Sequence, residues 1–286
     1  MRAVHTNDVA PNFNSPHRNS DIGMARLSKG DPGEPDNYEF SVLRIGSGYT
    51  TPRHHHNFDQ IHYVLEGEHT WAPRSIIPQG HVAYFPEGTF YGPQQGLDGL
   101  VLGLQFGGAS GSGFMDYDTL RTASEELAAS GTFDDGMYRP RTDESTPPTG
   151  TVARKDGYEA AWEHVNGKPV DYPAPRYGSP IIVDPGSFAW IPSSNDHGVH
   201  HKHLLTVTER CVSIGFTLMD PRAELRLEPL RSRRLQYVVD GDLTVDGKVF
   251  GSGTAFAFEV SESPVLSTDE GAEIYWIELP RFSPAD

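Results

Sequence analysis

His54, His56, Gln60 and His62 fall together in residues 48–67, GYTTPRHHHNFDQIHYVLEG, with the types and spacing of a metal or acid–base site. Side chains alternate between the two faces of an extended segment, so His54 and His56 share a face and can grip one ion. Neutral imidazoles suit iron, zinc, copper or nickel rather than the all-oxygen shells of magnesium and calcium. Gln60 offers a neutral amide oxygen as a third donor, or orients a neighbour. His62, two residues further along the same face, is placed inside whatever this strand encloses, as a substitute ligand or a general acid or base. A second stretch, residues 80–95, GHVAYFPEGTFYGPQQ, adds Tyr91, whose phenol can ligate, donate to an oxyanion or line a pocket.

The two stretches resemble the paired motifs of the cupin superfamily. Gly48, His54, His56 and Gly67 stand at the glycine, His-x-His and closing glycine positions of the first motif, with Gln60 in the place of its glutamate. Gly80, Pro86 and Gly88 match the second motif, with Tyr91 for its histidine and Gln95 for its asparagine. The resemblance implies an all-β chain of small antiparallel barrels, with a divalent transition metal in one mouth held by His54, His56 and Gln60. Iron is the first choice, with zinc, nickel, copper or manganese as alternatives. The activity it implies is that of a dioxygenase-like oxidoreductase on a small organic molecule, with Tyr91 and His62 against the substrate. Cupins also host isomerases, cyclases, lyases and non-enzymatic binders, so non-redox metal-assisted chemistry and ligand binding stay open.

The elements that must position these residues are strands. Thirty glycines and 23 prolines in 286 residues suit a turn-rich all-β protein. Residues 38–45, YEFSVLRI, alternate as a half-buried strand, and 100–106 read as another barrel strand. A helix is expected over 118–130, capped by Asp118 with Leu120, Ala123, Leu127 and Ala128 as its apolar stripe, and a shorter one over 158–164. Residues 131–155 read as a linker or surface excursion. From 179 the chain returns to strands, and Gly241 answers Gly67. Counting back from Gly241 puts Glu228, Leu230 and Arg234 where the first half has His54, His56 and Gln60. The expected division is a barrel with an N-terminal arm over 1–115, a helical and linker segment over 116–178, and a barrel without a metal site over 179–286, serving structure and assembly.

A net charge of −16 argues against nucleic acid or an anionic membrane as partner and leaves small molecules. The single cysteine, Cys211, and the polar opening segment make the cytoplasm the expected compartment. That opening, residues 1–23, carries no expected chemistry. Ile61, Tyr63 and Leu65 are expected on an outward apolar face that needs cover from the second barrel, the N-terminal arm or another subunit, and a homo-oligomer, a homodimer first, is expected. The histidines at 197, 200, 201 and 203 form a second cluster, with a metal pair at His201 and His203 as its sharpest reading.

Overall fold

The computed structural model describes residues 1–18, 21–111, 114–141, 154–207 and 211–280, which form two compact units. One is residues 11–182, the other residues 1–10 with 183–286. Each is built on an antiparallel sheet with the same strand order. In the first the order is Val82–Phe85, Phe58–Glu66, Gly99–Gly107, Tyr38–Ile45, Ile22–Lys29. In the second it is Thr254–Phe258, Arg234–Val245, Ala272–Glu278, Val212–Met219, Val199–Val207. The sequence halves are therefore two cupin-type barrels. Gly67 and Gly241 occupy equivalent corners, with φ of 71° and 76°. A Cβ there would lie 2.8 Å from the Asp98 carbonyl and 2.1 Å from that of Gly271, so each corner needs glycine twice over.

The first ten residues of the opening segment belong to the second unit, where Arg2–His5 pairs with Thr254–Phe258 as a further strand, and the rest belongs to the first. In the first unit α1 (Tyr117–Ala128) is capped two residues earlier than expected, by Asp116 rather than Asp118. Asp116 accepts the amides of Asp118 and Thr119 at 3.0 and 3.2 Å, while Asp118 turns outward to Arg26 and Lys29. α2 (Gly157–Asn166) is capped by Asp156 and closed by Gly167 in the left-handed region. The expected linker is partly structured: Gly131–Asp134 and Met137–Pro140 pair as a hairpin, while 142–153 lie outside the described residues.

Period-2 patterning fills the barrel interiors. The first interior holds Ile45, Val64, Phe85 and Val101, and the second Val238, Phe256, Ile274 and Leu266. The other face of the Phe58–Glu66 strand is not an uncovered surface. Ile61 is 1% exposed and Tyr63 7%, with Leu65 half-buried, and their in-register neighbours on the same face, Leu104, Tyr84 and Phe40, are buried as well. The apolar face that suggested a second subunit is thus already covered in one chain. Among the described residues no helix is long and apolar enough to cross a membrane.

Candidate functional site

A cavity of about 70 Å³ occupies the first barrel, and His54, His56, Gln60, His62 and Tyr91 all line it. His54 and Tyr91 exchange both backbone hydrogen bonds at 2.9 Å, which draws the two motif segments together. The His54 and His56 rings stand edge to face with centroids 5.0 Å apart. His54 Nδ1 donates to the Pro52 carbonyl at 2.8 Å, which fixes its tautomer and leaves Nε2 as an acceptor.

Gln60 does not offer its oxygen to the cavity. Gln105 donates to Gln60 Oε1 at 2.9 Å, a cross-strand pair fixed by the register of the two strands. The Gln60 amide nitrogen then donates to the Tyr91 hydroxyl at 2.9 Å and lies 3.1 Å from His56 Nδ1. Tyr91 completes a triangle with its hydroxyl 3.0 Å from His56 Nδ1. His62 lies one layer deeper, its ring edge-to-face with His69 at 5.2 Å, and its Nδ1 is buried without a partner among the described residues. Gln95 lies outside this set, paired with Thr50. Its neighbour Gln94 points inward, 3.3 Å from His69 Nε2.

The mouth is roofed by residues of which only Leu120 was marked by sequence periodicity. His17 and Arg18, from the opening segment, line the cavity together with Tyr117 and Leu120 of α1 and Tyr158 of α2. The helices therefore close the chamber rather than pack elsewhere on the barrel. Arg18 is buried and forms two hydrogen bonds to Asp156, at 3.1 and 3.3 Å. Asp156 also caps α2, and Tyr158 donates to Asn57 at 2.6 Å. No local pattern signals Arg18, because its partner lies 138 residues away. His62 with Gln60 was legible as one strand face, whereas Gln105 needed the strand register.

Burial sets the protonation states. It lowers His54 from 6.5 to about 4, and the Arg18 charge adds to the effect. It pushes His56 and His62 well below their ordinary value, with His54 adding to the first and His69 to the second. Burial also raises the Tyr91 phenol, against the Gln60 hydrogen bond. At neutral pH the chamber thus holds uncharged imidazoles and a protonated phenol.

This donor set falls short of a divalent-metal shell. Of the five imidazoles that line the cavity only those of His54 and His56 stand as the predicted pair, the Gln60 oxygen is taken, and the Asp156 carboxylate is held by Arg18. Catalytic zinc sites, for comparison, use three protein ligands. Among the described residues no three His, Cys, Asp or Glu side chains converge as a shell. The 200–203 cluster does not make one either. His201 bonds Thr217 at 3.0 Å, His203 bonds Thr206 at 2.8 Å, and His200 lies 3.4 Å from Asp220, so each ring is tied to its own neighbour.

No protein-family profile matches the chain, and no curated protein sequence matches it. Solved structures do match in fold. A candidate dioxygenase from Nostoc punctiforme is 11% identical with a TM-score of 0.59, over 99% of this chain and 84% of that one. Oxalate decarboxylase from Bacillus subtilis, a protein with Mn(II) centres, is 15% identical with a TM-score of 0.54, over 98% and 76%. A protein from Geobacillus kaustophilus is 11% identical with a TM-score of 0.52, over 100% and 97%. The chain shares the two-barrel cupin fold of these structures.

Proposed function

We propose that the first barrel is the reaction chamber of a small-molecule enzyme that works by proton transfer, an isomerase or lyase. The observation that carries this reading is the closed triangle of His56, Gln60 and Tyr91 beside a His54 whose tautomer is fixed. Tyr91, protonated, donates to oxygen on the substrate, and His54 Nε2, unprotonated, accepts a proton from it. Gln105 holds Gln60, and Gln60 holds the Tyr91 hydroxyl, so the donor is oriented before the substrate arrives. The roof of Tyr117, Leu120 and Tyr158 excludes water, and the small volume admits a compact substrate.

The test is solvent deuterium incorporation into a panel of small carbonyl and hydroxy compounds, followed by proton NMR. Exchange that survives chelator treatment and disappears in Tyr91→Phe, with the fold intact, is the expected result. Unchanged exchange in Tyr91→Phe overturns the assignment.

A second reading, a metal-dependent dioxygenase, draws support from the shared His-x-His frame and from fold neighbours that include a candidate dioxygenase and a Mn(II) protein. It needs a ligand beyond His54 and His56. Stoichiometric metal in the purified protein, abolished in His54→Ala with His56→Ala and required for oxygen uptake, would establish it in place of the first.

A further inference from the structure

Four tyrosines line the chamber of the first barrel: Tyr49, Tyr91, Tyr117 and Tyr158. Three of their hydroxyls are engaged. That of Tyr91 is held by Gln60 and His56, that of Tyr117 lies 3.1 Å from the Ser15 hydroxyl, and that of Tyr158 donates to Asn57 at 2.6 Å. The Tyr49 hydroxyl forms no hydrogen bond among the described residues, although the residue is only 8% exposed. Unlike Nδ1 of His17 and of His62, which are sealed from water, it opens on the cavity.

The backbone fixes where this phenol stands. Tyr49 N donates to the Gly46 carbonyl at 3.1 Å, and Gly96 N donates to the Tyr49 carbonyl at 2.7 Å. A Cβ on Gly96 would lie 1.8 Å from the Gly46 carbonyl oxygen, so only glycine lets these two segments close around Tyr49. The ring belongs to the same apolar cluster as Ile45, Phe85 and Tyr91. Burial holds the phenol above its ordinary pKa, against the Arg18 charge, so it stays a donor at neutral pH. A buried hydroxyl with no partner in the protein is satisfied by whatever fills the chamber. Arg18 is the one charged side chain of the lining, and Asp156 neutralises it through two hydrogen bonds, so a carboxylate entering the chamber meets no unpaired cation.

We propose that Tyr49 is a second substrate-binding hydroxyl, and that the substrate is an uncharged α-hydroxycarbonyl compound with one oxygen at Tyr91 and the other at Tyr49. A dry cavity of about 150 Å³ takes a benzene ring, so one of about 70 Å³ takes about two or three carbons, and two oxygens on so short a skeleton sit on adjacent carbons. This assignment rests on the reading of the chamber as a site of proton transfer, and it names what that transfer needs. The C–H that bears the hydroxyl lies beside the carbonyl, which makes it acidic enough for an imidazole such as His54 to accept its proton.

Hydroxyacetone, acetone and pyruvate share a three-carbon skeleton and differ in the second oxygen and in charge, so they probe the site directly. Saturation-transfer NMR on the full chain should show hydroxyacetone binding in roughly the millimolar range, with acetone about five-fold weaker and pyruvate weaker still. Tyr49→Phe should weaken hydroxyacetone about five-fold, the loss of one hydrogen bond, and leave acetone unchanged. It should also leave the urea midpoint unchanged, because the lost hydroxyl has no partner in the protein. Tyr91→Phe should weaken hydroxyacetone and acetone alike. Binding does not require turnover, so hydroxyacetone bound through Tyr49 without deuterium exchange would refute proton transfer and leave the Tyr49 contact standing. Exchange that persists in Tyr49→Phe with unchanged hydroxyacetone affinity would refute the Tyr49 contact and leave proton transfer standing. No binding of hydroxyacetone by the wild type, tighter binding of pyruvate, or a lower urea midpoint in Tyr49→Phe would also overturn the proposal.

Discussion

The two barrels place different chemistry at the same register. In the first, Gln60 faces Gln105 across paired strands and the pair is uncharged. In the second, Arg234 faces Glu278 and the pair is ionic. One layer deeper His62 is answered by Gln236, and both carry a buried ring or amide atom without a partner among the described residues. The first mouth is roofed by two helices and the opening segment, the second is open, and the cavity volumes of about 70 and 270 Å³ follow. One barrel frame thus supports a roofed chamber with an amide pair at this register and an open one with an ionic pair, and what differs is a few inward side chains and the roof.

The largest expected effect that would break this comparison is at the roof. Asp156→Ala leaves the Arg18 guanidinium buried and uncompensated and removes the cap of α2, which should cost about 3–5 kcal/mol. Urea denaturation measures it, and a loss under about 1 kcal/mol would mean that Arg18 finds another partner.

Acid comes next. Burial lowers His17 to about 3 and His69 to about 4, with Arg18 adding to the first. Both are neutral in the fold and titrate near 6.5 once unfolded, so their contribution is whole above 6.5 and is lost as pH falls toward 4. His69 alone accounts for an effect of order 3 kcal/mol. Proteolysis over that pH range should therefore cut residues 11–182 before the second unit; the reverse order would refute the assignment of neutral buried histidines.

A smaller effect separates the two cross-strand pairs. Gln60→Leu should cost about 1–3 kcal/mol by stranding the Gln105 amide, and Gln105→Leu on top of it should recover part of that loss. Additive losses in the double variant would show that the amides do not act as a pair. At the half-exposed counterpart, Glu278→Gln should change stability by under about 1 kcal/mol.

Gln60→Glu sharpens the comparison from the metal side. It sets a carboxylate next to His54 and His56, and metal retained after dialysis should rise by about 10–100-fold. Unchanged retention would place Gln60 away from any ion the two histidines bind.

The strand frame was legible because it rests on local rules: alternation marks the strands, and Gly67 and Gly241 stand where only glycine fits. The same alternation placed His54, His56, Gln60 and His62 in one cavity. What lay beyond the sequence was long-range. Arg18 and Asp156 sit in segments with no periodicity, and whether Gln60 turns its oxygen to an ion or to Gln105 depends on a strand 45 residues away. The helix start was missed by two residues because Asp116 and Asp118 are both competent caps, and Arg26 and Lys29 decide between them. Glu228 and Arg234, which stand where the first barrel has His54 and Gln60, line the second cavity with charge.

The pairing of Arg2–His5 with Thr254–Phe258 bears on how the chain is made. Arg2 meets Ala257, so this strand has no partner until about 250 further residues have been made. Such closure of a very long loop slows folding, and it leaves the unpaired edge of Thr254–Phe258 as a place where a second nascent chain can dock. An amino-terminal extension that delays seating of Arg2–His5 would therefore act on the yield of folded protein at synthesis more than on the finished molecule.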